Sequence, residues 1–230
     1  MVSSLLLLVH IAWLPLMFVA FLKLYARPHP FISALLAHFL GAIFILPALL
    51  FELAADQVLP ARADPELLKL VVAVAPVEEG AKLGAAILAA RLLGLSLEER
   101  SFLPVALAAA LGFGAAETVL AVGVQGVDVL TVRVLVSVPA HVLFTSFAAA
   151  LVIGGKARSS RWTSSLGALA LACAVHIAYD AVLLVQSGTP MLGVVLWLLA
   201  WGVASAMLTL VRLRQQARAT AAGTPDRRRG

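Results

Sequence analysis

The chain has 230 residues, of which 62% are hydrophobic and only 13% charged, with a formal net charge of +5. A soluble domain is about 45–50% apolar and about 25% charged, so a soluble fold would leave too much apolar surface in water. A disordered chain would be far more polar, and the strands of an outer-membrane barrel would alternate apolar with polar residues, whereas runs such as Leu5–Val9 and Leu192–Ala200 are unbroken.

The composition predicts an all-α, polytopic membrane helix bundle. At about 20 residues per span, seven apolar segments have the length of a transmembrane helix: Val2–Tyr25, Phe31–Leu53, Leu67–Arg91, Phe102–Val124, Leu130–Gly154, Thr163–Gln186 and Met191–Leu213. The first has no basic residue ahead of it and is too long for a signal peptide, so a retained helix is expected. Arg27-Pro28-His29-Pro30 cannot continue a helix, and Pro60 and Pro65 punctuate the next gap. Gly154-Gly155 ends the fifth segment, and Gly188-Thr189-Pro190 makes a turn before the seventh. The single cysteine, Cys173, lies in an apolar run and has no partner for an internal disulfide. No internal repeat suggests a transporter built from two halves.

Lys and Arg set the orientation. With the amino terminus outside, thirteen of the seventeen basic residues fall at cytoplasmic ends and loops, from Lys23 and Arg27 to Arg229. Three, Arg62, Lys69 and Arg133, fall outside, and Lys82 lies within a span. A multi-pass protein of the cell membrane is expected, with a cytoplasmic carboxyl terminus. Residues 214–230 form a basic, disordered tail that touches anionic lipid. The positive charge is a topology signal, and no nucleic-acid partner is expected.

A charge inside a bilayer costs several kcal/mol, about 2.5–3.5 by the lower scales, and this chain places several there. Glu78, Glu79 and Lys82 are in the third segment, Glu117 in the fourth, His141 in the fifth, and His176 and Asp180 in the sixth. Glu78 and Lys82 share a helix face at i, i+4 and can pair, as can His176 and Asp180. Pro76 removes a backbone donor just before the first pair, and Gly112-Phe113-Gly114 lets another helix approach. At 1.5 Å per residue, Glu78, His141 and His176 lie about 15–16 Å from the outer ends of their helices, and Glu117 and Asp180 about 9–10 Å. Four helices of alternating direction thus carry their polar groups to one layer in the outer half.

Three readings fit a buried polar layer. Such groups can tie helices together, making a non-catalytic scaffold. They can relay protons or ions in a transporter, although the inner halves of these spans are almost wholly apolar. They can also activate water, with a carboxylate as general base or with a metal held by carboxylates and histidines. No HExxH, no Gly-Ser nucleophile motif and no credible Ser-His pairing occurs, so the chemistry offered is Glu plus His.

Four motifs then stand in order, each in an apolar span: Glu78-Glu79-Gly80-Ala81-Lys82, Phe113-Gly114-Ala115-Ala116-Glu117, His141-Val142-Leu143-Phe144-Thr145 and His176-Ile177-Ala178-Tyr179-Asp180. In this the chain resembles the PrsW family of intramembrane proteases, within the wider group of type II CAAX prenyl proteases and Abi-type proteins. The resemblance covers Pro76 to about Leu184. Lys82 and Glu117 favour PrsW over the CAAX group. The seven segments make one transmembrane domain over residues 1–213, and the resemblance covers its four-helix catalytic core at about 67–186. The resemblance implies cleavage of a membrane-anchored protein in the bilayer near its outer side; in the family's namesake the substrate is an anti-sigma factor. Glu78 is the expected general base, with Glu79 the alternative, and Lys82 neutralises one of the two carboxylates. Glu117 and His141 position water or bind a metal, and His176 donates to the oxyanion with Asp180 orienting its ring. A zinc or other divalent ion on Glu79, Glu117, His141 and His176 is one option, and a metal-free glutamate site is the other.

Overall fold

The computed structural model describes residues 30–58, 68–95, 102–154 and 161–185. These are helical throughout their regular structure, with no strand among the described residues. Helix α1 spans Pro30–Val58, α2 Ala75–Leu92, α3 Phe102–Gln125, α4 Val138–Gly154 and α5 Arg161–Val185. They overlap the second to sixth apolar segments, with α2 and α4 starting eight residues later than the segments from Leu67 and Leu130. Val2–Tyr25, Met191–Leu213 and the tail lie outside the described residues. Among the described residues, two stretches suffice by length and apolarity to cross a bilayer, Ile32–Val58 and Phe102–Gln125, with shorter apolar stretches at Val138–Ala149 and Leu166–Ala181.

Helix ends follow local chemistry. Pro30 opens α1, where a missing N–H leaves nothing unsatisfied. Helix α2 closes on Gly94, whose φ of 64° only glycine adopts freely. Leu95 N–H bonds Ala90 O at 2.8 Å and Gly94 N–H bonds Arg91 O at 3.1 Å, which satisfies the last carbonyls.

Two helices widen by one residue just ahead of the polar motifs. Leu70–Val74 precedes α2 as a π-helical turn closed by Ala75 N–H on Leu70 O. Arg133–Ser137 precedes α4 in the same way, closed by Val138 N–H on Arg133 O. Each wide turn is followed by a proline, Pro76 or Pro139, and two residues later by Glu78 or His141. A proline cannot donate to the carbonyl four residues back and its ring crowds it. The wider turn accommodates both, and such turns often accompany functional sites.

The helices meet through small residues. Ala34 and Ala37 of α1, Ala85, Ala86, Ala89 and Ala90 of α2, and Ala106, Ala108 and Ala109 of α3 form one buried cluster. At the α1–α3 crossing the backbones touch: a Cβ on Gly41 would land on the Ala109 carbonyl, and one on Gly112 on the His38 carbonyl. Close approach by small residues is how apolar helices associate when lipid removes the hydrophobic incentive. The large apolar side chains of α1, including Ile32, Phe39, Ile43, Leu46 and Leu50, point outward.

Candidate active site

The polar cluster sits where α2, α3, α4 and α5 converge, with Lys82 at its centre and no exposed surface. Its ammonium donates to Glu79 Oε1 at 2.7 Å and to Glu78 Oε2 at 3.2 Å. It also stands 2.7 Å from His141 Nδ1, and 4.8 Å from the centroid of the Phe113 ring. An ammonium has no lone pair, so His141 Nδ1 accepts and the ring proton is on Nε2. That nitrogen faces Glu117 Oε2 at 2.6 Å. Gly114 makes room for the imidazole: a Cβ there would lie 3.0 Å from His141 Cδ2.

On the far side of Glu79, the same Oε1 meets His176 Nδ1 at 2.9 Å, and His176 Nε2 meets Asp180 Oδ2 at 3.0 Å. Both partners are carboxylates, so both contacts are hydrogen bonds only when the ring carries two protons. Phe144 stacks on this imidazole with centroids 5.0 Å apart. Burying Lys82 and Glu79 together is tolerable only because each is paired and hydrogen-bonded.

The structure therefore joins all seven residues singled out in the sequence: Glu78, Glu79, Lys82, Glu117, His141, His176 and Asp180. It adds an eighth. Arg133, counted in the sequence as an external charge, folds back from the wide turn before α4 and pairs with Glu117 Oε1. The cluster opens at this end. The side chains of Arg133 and Glu117 are 23% exposed and that of Asp180 27%, against 1% for Glu79 and 3% for His176.

The two neighbouring glutamates differ. Glu79 is fixed by Lys82 and His176, whereas Glu78 has one longer bond to Lys82 and stands 3.8 Å from His141 Nδ1 and 3.9 Å from His176 Nε2. Glu78, not Glu79, converges with Glu117 and His141: one ligand atom from each lies within 4.8 Å of the others. Two carboxylates and an imidazole are a donor set that zinc accepts, and the residues present fit a divalent ion once His141 gives up its contact with Lys82 or Glu117. The four-residue set suggested by the sequence is divided by Lys82, which leaves Glu79 and His176 bonded to each other.

Apolar helices around a cluster of carboxylates, imidazoles and one ammonium, buried except at the Arg133 end, make this a membrane-embedded helical protein with a buried polar site. The chain belongs to the PrsW family: the model of the PrsW family intramembrane metalloproteases matches residues 29–210. It is a membrane protein of a peptidase family. The match begins ahead of α1 and runs into the last predicted span, well beyond the stretch from Pro76 to about Leu184 that carries the four motifs. No curated protein and no solved structure matches the chain.

Proposed function

We propose that this protein hydrolyses a peptide bond of a membrane-anchored protein near the outer side of the bilayer, with Glu78 as the carboxylate that engages water. The observation that supports Glu78 over Glu79 is its weaker commitment: one bond of 3.2 Å, against two of 2.9 Å or less at Glu79. Glu79 and Lys82 then form the fixed floor of the site. Glu117 and His141 orient water, and Asp180 holds the His176 ring. The full chain is a seven-span domain over residues 1–213 with its amino terminus outside, which puts the open end of the cluster on the outer side. The anti-sigma factor implied by the resemblance is one member of this substrate class.

If a divalent ion is resident, Glu78, Glu117 and His141 are the residues that would hold it. Bound there, it supplies Lewis acidity and a more acidic water. The test is reconstitution of the purified protein in vesicles with a panel of single-span membrane proteins, with and without a strong chelator. Wild type should cut at least one panel member near its outer membrane boundary. Loss of cleavage with chelator and its return with zinc mark the metal-bound route; indifference to chelator marks Glu78 as a base acting alone. Solute flux without a cut peptide bond would instead favour a transporter.

A further inference from the structure

Water addition to a peptide carbonyl needs a donor for the oxygen that becomes negative. His176 would have to break a bond to supply one, because its nitrogens face Glu79 and Asp180. His141 is held by Lys82 and Glu117 in the same way. Lys82 is shared among three acceptors.

Two buried side-chain hydroxyls among the described residues make no hydrogen bond, those of Thr145 and Tyr179. Thr145 lies one turn deeper than His141, on the side away from the open end. Tyr179 lies one turn outward of His176 on the same face of α5, at i, i+3. Its ring packs edge-on against Phe144 at 5.6 Å, the ring that also stacks on His176. The Ser137 side chain lies near enough to interact with its hydroxyl, short of full hydrogen-bond geometry, and Arg133, Glu117 and Asp180, the groups at the open end, are within electrostatic reach. A buried phenol with only that partial contact regains less hydrogen bonding than it loses from water. A substrate carbonyl entering from that end would be its partner. Arg133 also has spare N–H groups, but they are partly exposed.

We propose that Tyr179 is a further catalytic residue, whose O–H donates to the scissile carbonyl oxygen and holds the charge that develops there. This rests on the proteolytic reading above. As water oxygen bonds the carbonyl carbon, a site carboxylate takes its proton and the C=O π pair moves onto oxygen. The Tyr179 O–H bonds that oxyanion and keeps its own proton. When the C–N bond breaks, the π bond re-forms and the carboxylate returns its proton to the leaving nitrogen.

The experiment compares Tyr179→Phe, Ser137→Ala and Glu78→Gln with wild type, on whichever panel protein wild type cuts. Tyr179→Phe should lower kcat by about 10²-fold, the usual effect of one lost oxyanion donor, with KM unchanged. Its Tm should stay near wild type, because at most a partial contact with Ser137 is removed, and Ser137→Ala should leave kcat near wild type. A wild-type kcat in Tyr179→Phe, with Glu78→Gln inactive, overturns the role of Tyr179 and leaves the proteolytic reading standing. A drop in Tm shared by Tyr179→Phe and Ser137→Ala, with cleavage intact, overturns it in favour of a structural Tyr179–Ser137 bond. No cleavage by wild type overturns the proteolytic reading, and the proposal with it.

Discussion

The two ends of the bundle are held together by opposite means. Between Ala34 and Ala109, α1, α2 and α3 touch mostly through alanine and glycine, with no side-chain ion pair in that buried cluster. At the other end, α2 to α5 meet through Lys82 and the carboxylates and imidazoles around it, bonded at 2.6–3.2 Å. The first end needs closeness and tolerates no added volume. The second needs pairing and tolerates no missing partner. A helix pair in lipid can be fastened in either way, but only the second gives reactive groups a place to stand. The alanine end then acts as the rigid frame that fixes their spacing.

The largest effect should come from adding volume to the frame. Gly112→Leu puts a side chain where the His38 carbonyl lies, and neither backbone can yield without opening the α1–α3 crossing. Thermal unfolding and size-exclusion in detergent should show loss of the cooperative bundle. A variant with wild-type Tm would mean that the α1–α3 crossing has room for a side chain at Gly112.

Removing a partner at the polar end should come next. Lys82→Met leaves Glu79 buried with its main counter-charge gone, a change that typically costs about 3–5 kcal/mol. Stability and cleavage should fall together. If cleavage alone falls, Lys82 belongs to the chemistry rather than to the floor of the site.

The smallest effect on stability should come at the open end. Arg133 and Glu117 are partly exposed, and such pairs contribute about 1 kcal/mol or less. Arg133→Gln should therefore barely move Tm. Cleavage should still fall about 10–100-fold, as expected when a partner that orients a reacting residue is lost. A fall in Tm matching the fall in rate would make Arg133 a structural clamp.

Much of the polar end was legible in the sequence because helical geometry is regular. A rise of 1.5 Å per residue was enough to place Glu78, Glu117, His141, His176 and Asp180 in one layer, and i, i+4 spacing was enough to pair Glu78 with Lys82. Spacing does not say which of two adjacent carboxylates a lysine prefers, and the shorter bond is to Glu79. Nor does it reveal contacts across helices, so the Lys82–His141 contact was hidden. Spacing counts Arg133 only as an outside charge; the wide turn before α4 is what aims it back into the bundle, onto Glu117. The signal was there in the sequence: Pro139 stands two residues before His141 as Pro76 stands two before Glu78. Tyr179 was hidden for a different reason, since an aromatic ring in an apolar run looks like packing until its hydroxyl is found without a partner.

The division of labour between the two adjacent glutamates is the central claim, and one paired measurement tests it: cleavage rate and Tm for Glu78→Gln and Glu79→Gln side by side. Glutamine keeps the size and removes the charge. Glu78→Gln should keep a Tm near wild type while cleavage falls by orders of magnitude, as loss of a general base or a ligand requires. Glu79→Gln should lower Tm markedly, because Lys82 and His176 lose the charge they share. An active Glu78→Gln, beside a stable and inactive Glu79→Gln, would contradict the account and move the chemistry to Glu79.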